Sequence, residues 1–255
     1  MLGNYLLMPW RQLRRNRLYS LINITGLAVG MAVAMLIGLW IRDETTFNEW
    51  HSRHASLARI LSIFRVNSEA TVASVASVPM EAELYSRYPS AFKELALVSE
   101  GGHVLATGDK KLSQWGMWAQ PSFPVMFSFR MITGVVTVLK DPSSLLLSES
   151  SARALFGNSD ALNQMVVVDG RTEMKVGGVY ADLPQNTQFY GAGVLLPWDN
   201  KDNLGITMGE DWSNHHFELY AELAGGVTAA EVSSPGCLRE AIRRFTFLVF
   251  GQSRY

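Results

Sequence analysis

The chain of 255 residues holds one cysteine, Cys237, so no internal disulfide can form and cysteine usage does not fix the redox compartment. It has no excess of charge. Its 22 Lys and Arg against 23 Asp and Glu leave a formal net charge of −1, whereas a nucleic-acid binder carries a strongly basic domain or stripe. Nucleic acid is therefore not an expected partner. There is no Gly-x-x-x-x-Gly-Lys-Ser/Thr loop, which removes the common phosphate-loop route to ATP. There is no Gly-x-Ser-x-Gly nucleophile elbow, no low-complexity tract and no internal repeat. No cofactor and no catalytic activity are expected. From Leu18 to Ile41 there is not one charged residue.

That charge-free run is the strongest feature present. As a helix it would be roughly 36 Å long at about 1.5 Å per residue, enough to cross a bilayer core of about 30 Å. A cleavable signal peptide has an apolar region of only about 7–15 residues and a small-residue cleavage site. This run is longer, and the following Leu39-Trp-Ile-Arg-Asp-Glu44 offers no such site, so it reads as a retained anchor. Arg11, Arg14, Arg15 and Arg17 precede it. By the positive-inside rule they hold the N-terminal side in the cytoplasm and place residues from about 43 onward outside, in the periplasm of a Gram-negative cell. Asn23-Ile-Thr25 fits a glycosylation acceptor, but lies at membrane depth and reads as a polar group of the span.

Within the run, Gly26, Gly30, Ala34 and Gly38 recur at every fourth position. Between helices in lipid, small residues permit close backbone approach and van der Waals contact. The four read as a helix-packing face, although glycine and alanine are common in membrane helices anyway. Before the span, Pro9 can open a short helix in which Trp10, Leu13 and Arg17 share a face. That predicts an amphipathic elbow over residues 1–17; the alternative is a basic tail that only sets topology.

From Asp43 the composition becomes that of a water-soluble domain. Residues 57–66 predict a buried strand, and 78–89 a helix begun at Pro79 and stopped at Pro89. Residues 103–118 predict a hairpin around Thr107-Gly-Asp109; Trp115 and Trp118 read as core cover before ligand contacts. In 145–157, Leu145 to Leu147 predict a short strand, Ser148 a helix cap, and Gly157 a terminal left-handed residue. A nucleophile reading of Ser148, Ser150 or Ser151 has no placed base. Residues 165–184 predict a hairpin on a two-residue Asp169-Gly170 turn. His51 and His54 are spaced for one helix face but have no third ligand, and His215-His216 point apart, so no metal site is expected. Strands mixed with short helices imply an α+β outer domain over about 43–223, followed by an atypical tail at 224–255. Phe245 to Gly251 in that tail is too short to span.

Four stretches together resemble one family. Residues 16–51 resemble the first membrane helix of FtsX/MacB-type ABC transporter permeases. Residues 137–157 and 175–189 resemble that family's periplasmic core domain, and 211–223 is similar to its last strand region. The likeness runs in order over roughly residues 4–223. It implies an inner-membrane permease that pairs as a homodimer or with a related permease and engages a cytoplasmic ABC ATPase subunit. It also implies four membrane helices, a periplasmic α+β domain with a porter-like part and an inserted second part, and work such as efflux or envelope remodelling. Three features depart from the pattern: Pro9 falls where a helix former is usual, Arg59-Ile60 lacks an acidic residue beside the arginine, and helices two to four are missing. The chain is accordingly expected to be a truncated permease. A single-pass anchored receptor or ligand-binding protein is the alternative, and a membrane-anchored hydrolase a weaker one.

Overall fold

A computed structural model describes residues 15–50, 53–66, 69–200, 212, 216–227 and 245–249. It divides into two compact units, residues 1–46 and 47–255. The first is helix α1, Arg17–Thr45. At 29 residues it is roughly 44 Å long at about 1.5 Å per residue, and none of its residues is buried. It is the one described helix long and apolar enough to cross a membrane. The Thr25 hydroxyl donates back to Leu21 O (2.6 Å), so this polar side chain satisfies itself within the helix.

The second unit is built on one sheet of eleven strands. In chain order its elements are β1 (Leu57–Val66), β2 (Glu69–Ala73), α2 (Val78–Arg87), β3 (Phe92–Thr107), β4 (Lys110–Ala119), α3 (Phe123–Met126), β5 (Met131–Gly134), β6 (Ser144–Ser148), α4 (Glu149–Phe156), β7 (Met165–Val168), β8 (Thr172–Tyr180), β9 (Val194–Pro197), β10 (Glu218–Leu223) and β11 (Phe245–Val249). The strand at 57–66, the helix from Pro79, the hairpin of 103–118, the strand and helix within 145–157 and the hairpin beginning at 165 form where the sequence predicts, whereas β2, α3, β5, β9 and β11 carry no such expectation. Pro79 sits in the first turn of α2, and the hairpin of β3 and β4 turns at Gly108, whose φ is +54°.

Two regions can be told apart, and β3 belongs to both. Its C-terminal half pairs with β4 and β7. From there β4 pairs with β9, β9 with β6, β6 with β8, and β8 with β7. These pairings close a ring of six strands. The N-terminal half of β3 instead pairs with β10, which pairs with β1; β2 and β11 flank β1 as a wing. Part of the C-terminal tail thus joins the sheet as β11.

Period-two alternation sends side chains to two cores. In β6, Leu145 and Leu147 join one cluster and Leu146 the other, all three with no exposed surface. The first cluster gathers Leu105, Trp118, Val166, Val168, Met174, Val176, Val194 and Leu196 from the ring, covered by Ala152 and Leu155 of α4, and extends to Met80 and Leu84 of α2. The second lies on the opposite face and is aromatic. Phe123, Phe127, Phe129, Phe189, Tyr180 and Tyr220 pack with ring centroids 4.8–5.9 Å apart, mostly edge to face.

The ring closes at a polar seam. Asp169 Oδ1 accepts from Val104 N (2.7 Å), Oδ2 lies 2.9 Å from His103 Nδ1, and Asp169 N donates to Val104 O (2.8 Å). The β7–β8 turn is therefore pinned to β3. Asp169 and Gly170, both at positive φ, are its central residues, and Arg171 N closes it on Val168 O (3.0 Å). Thr172 then stands opposite Val168, so the loop holds one residue more than the two-residue turn expected. At the end of α4, Gly157 has positive φ as expected, but its ψ of −122° lies outside the left-handed helical well.

Candidate functional site

Two places carry most of the residues singled out by sequence, and a third carries groups that were not. On α1, Arg15 and Arg17 are exposed at its start, while Arg11, Arg14 and the elbow residues Pro9, Trp10 and Leu13 lie outside the described residues. Gly26, Gly30, Ala34 and Gly38 are all exposed, and a Cβ at any of the three glycines would meet nothing within 4 Å. Among the described residues of the first unit, none is buried against this face.

The serine cluster is a cap. Ser148 Oγ accepts from Ser151 N (3.2 Å) at the start of α4, and Ser150 Oγ donates to Asp182 (2.9 Å). No histidine takes part in these bonds. Ser148→Ala is expected to cost about 1 kcal/mol, as loss of an N-cap does, with a matching fall in the denaturation midpoint. Trp118 is fully buried and Trp115 packs against the aromatic cluster, so both serve the core. His51 and His215 lie outside the described residues. Among those described, no group of three or more His, Cys, Asp or Glu is placed to hold a metal.

The third place carries polar groups that local sequence patterns do not predict. Strand β10 alternates Glu218, Tyr220 and Glu222 toward the aromatic face. Glu222 is 3% exposed, and a buried carboxylate needs partners. Arg53 Nη1 donates to both its oxygens (2.9 and 3.2 Å), and Lys93 Nζ adds a third bond (2.8 Å). Arg53 Nη2 also donates to Val125 O, within α3. Arg59 lies 3.4 Å from Glu218, so an acidic partner reaches it across the sheet. Tyr220 donates to Glu218 and accepts from Gln188 Nε2 (2.6 Å). Burial, then the Glu218 charge, raises the Tyr220 phenol well above its ordinary value. The sequence signal is the row of polar side chains on alternate residues of a strand whose other face is apolar, which marks the row but not its partners.

Glu100 of β3 stands two residues along from Val98, the partner of Glu218. Crowding of its carboxyl by surrounding protein, and then the Glu218 charge, push it up to about 7 against the pull of Arg59. A raised folded value means that the native state holds the proton more tightly. Its contribution is fully present below about pH 4.5 and is lost as pH rises through about 7. Much of the residue's surface is exposed, so water screens the effect and the expected change is modest. In chemical denaturation, the midpoint of Glu100→Gln is expected to fall less than that of the wild type between pH 5 and pH 8. Parallel pH profiles would refute this.

A mixed α/β domain follows one N-terminal helix long and apolar enough to cross a membrane. The family model of the MacB-like periplasmic core domain matches residues 20–234, and the chain belongs to that family, a family of ABC transporter permeases. Solved structures share the fold. A domain provisionally called a permease, from Porphyromonas gingivalis, is 21% identical, with a TM-score of 0.62 over 78% of this chain and 92% of that one. The periplasmic region of MacB from Actinobacillus actinomycetemcomitans is 14% identical, with a TM-score of 0.58 over 77% and 89%. The extracellular domain of the noncanonic ABC-type transporter YknZ from Gram-positive bacteria is 10% identical, with a TM-score of 0.55 over 75% and 99%. No curated protein sequence matches the chain.

Proposed function

We propose that the chain acts as a permease subunit of a MacB/FtsX-like ABC transporter. In this reading α1 lies in the inner membrane with its arginine-rich end in the cytoplasm, and the sheet domain stands in the periplasm. A partner ATPase hydrolyses ATP, and the outer domain turns that into efflux or envelope remodelling. The observation that carries the reading is the family match over residues 20–234, which takes in most of an exposed apolar helix together with the core domain. The chain itself offers no phosphate loop, so the hydrolysing subunit is a separate or fused partner. Reading the DNA beyond codon 255 in all frames tests this. Three further apolar spans, or a neighbouring gene with a phosphate-loop ATPase, are expected. Unrelated genes after a clean stop would favour a single-pass receptor.

The small-residue face of α1 is assigned to packing against helices of the same permease or its dimer mate. Four positions at a spacing of four place it over roughly 18 Å of helix at about 1.5 Å per residue. Gly30→Leu is expected to weaken self-association in a membrane reporter assay several-fold, because a bulky side chain there holds backbones apart. Unchanged association would remove the assignment.

A further inference from the structure

The chain that leaves α1 at Thr46 is fastened to the outer domain almost at once. Asn48 is 5% exposed and sits at φ +62°, a conformation asparagine tolerates better than most residues. Its Oδ1 accepts from Thr187 Oγ1 (3.0 Å) and Gln188 N (3.0 Å), and its own backbone N donates to Asn186 O (2.8 Å). One residue thus makes three hydrogen bonds to residues 186–188 of the connection between β8 and β9. The loop is itself wedged into the aromatic cluster. Phe189 has no exposed surface and packs edge to face on Phe123 (5.2 Å), Phe127 (4.8 Å) and Tyr220 (5.7 Å). Gln188 reaches Tyr220, which continues to Glu218 and Arg59.

A displacement of the chain at Phe47 therefore meets the loop at 186–189 before it meets the first strand at Leu57. Along the way Trp50 packs edge to face on Phe129 (6.2 Å), and Arg53 adds the ion pair to buried Glu222. We propose that Asn48 is a clasp that delivers movement of the chain leaving α1 to the 186–189 loop and through it to the aromatic core. It acts as a positioning residue. The proposal rests on the permease reading only for the source of the movement.

Hydrogen exchange of the full chain in lipid nanodiscs tests it in two arms. In the first, Asn48→Ala is compared with wild type and with Asn48→Asp, which keeps an acceptor oxygen. Asn48→Ala is expected to speed exchange at 186–189 by about tenfold through local opening, while Leu145 to Leu147 in β6 stay protected and Asn48→Asp stays near wild type. Equal exchange at 186–189 in Asn48→Ala and wild type overturns the clasp, as does loosening spread evenly into β6. In the second arm the phosphate-loop ATPase partner and a non-hydrolysable ATP analogue are added. Wild-type exchange at 186–189 is expected to change with nucleotide and that of Asn48→Ala is not. If both respond alike, the clasp is overturned. If the wild type gives no response, the permease reading fails, while the first arm still decides whether the clasp exists.

Discussion

Replacing Phe123 with alanine is expected to lower the unfolding free energy of the sheet domain by about 3–5 kcal/mol, the range for a buried phenylalanine cut to alanine. Phe123 has no exposed surface and touches four other rings: Phe127 at 4.8 Å, Phe189 at 5.2 Å, Tyr220 at 5.7 Å and Phe129 at 5.9 Å. Collapse into the space left would be resisted from several sides. Phe127 is held by its own backbone bond to Phe123 O, and Tyr220 by Gln188 and Glu218. The site cannot shrink cheaply, so the cost belongs at the upper end. Urea titration followed by tryptophan emission would measure it. A loss below about 1.5 kcal/mol would mean that this cluster is not close-packed. Phe189 leans on the same ring, so the 186–189 loop should also loosen.

Arg53→Ala is expected to cost roughly 2–3 kcal/mol. Orphaning a buried carboxylate costs about 3–5 kcal/mol, and two features reduce that here. Lys93 remains 2.8 Å from Glu222, and the Arg53 side chain is 31% exposed, so water already screens part of the pair. What is lost is two bonds to Glu222 and one to Val125 O. The double variant Arg53→Ala with Glu222→Leu separates the causes. Removing the charge along with its partner is expected to recover most of the loss, since the penalty lies in the unpaired carboxylate. A double variant as unstable as the sum of the two single changes would show that the residues act independently.

Much of this architecture can be read from local pattern. The charge-free run at 18–41, the capping serine before Glu149, the proline at the head of α2 and the turns at Gly108 and Gly170 each depend on a few adjacent residues, and each falls at the expected position, the last with one loop residue more than expected. The resemblance to a permease core domain holds for the same reason, since it is carried by such local stretches. Closure of the six-strand ring is different. It depends on β3 meeting β7 and β6 meeting β9, pairings between distant segments whose apolar alternation fits several neighbours equally well. The contacts of Asn48, Arg53 and Glu222 are hidden for a related reason. Each is an ordinary polar residue in its own stretch, and its role exists only once residues 186–188 or β10 are brought alongside. Likewise, Arg59 looks unaccompanied along the chain and gains Glu218 across the sheet.

The central claim is that α1 crosses the membrane once and holds the sheet domain on the far side. Single cysteines in a Cys237→Ser background test it most directly, one at Asn16 before the helix and one at Asp109 in the exposed β3–β4 turn. Cells with a permeabilised outer membrane are treated with a membrane-impermeant maleimide. Asp109→Cys is expected to label in whole cells and Asn16→Cys only after lysis. Labelling of Asn16→Cys in whole cells, or protection of Asp109→Cys until lysis, would contradict the account.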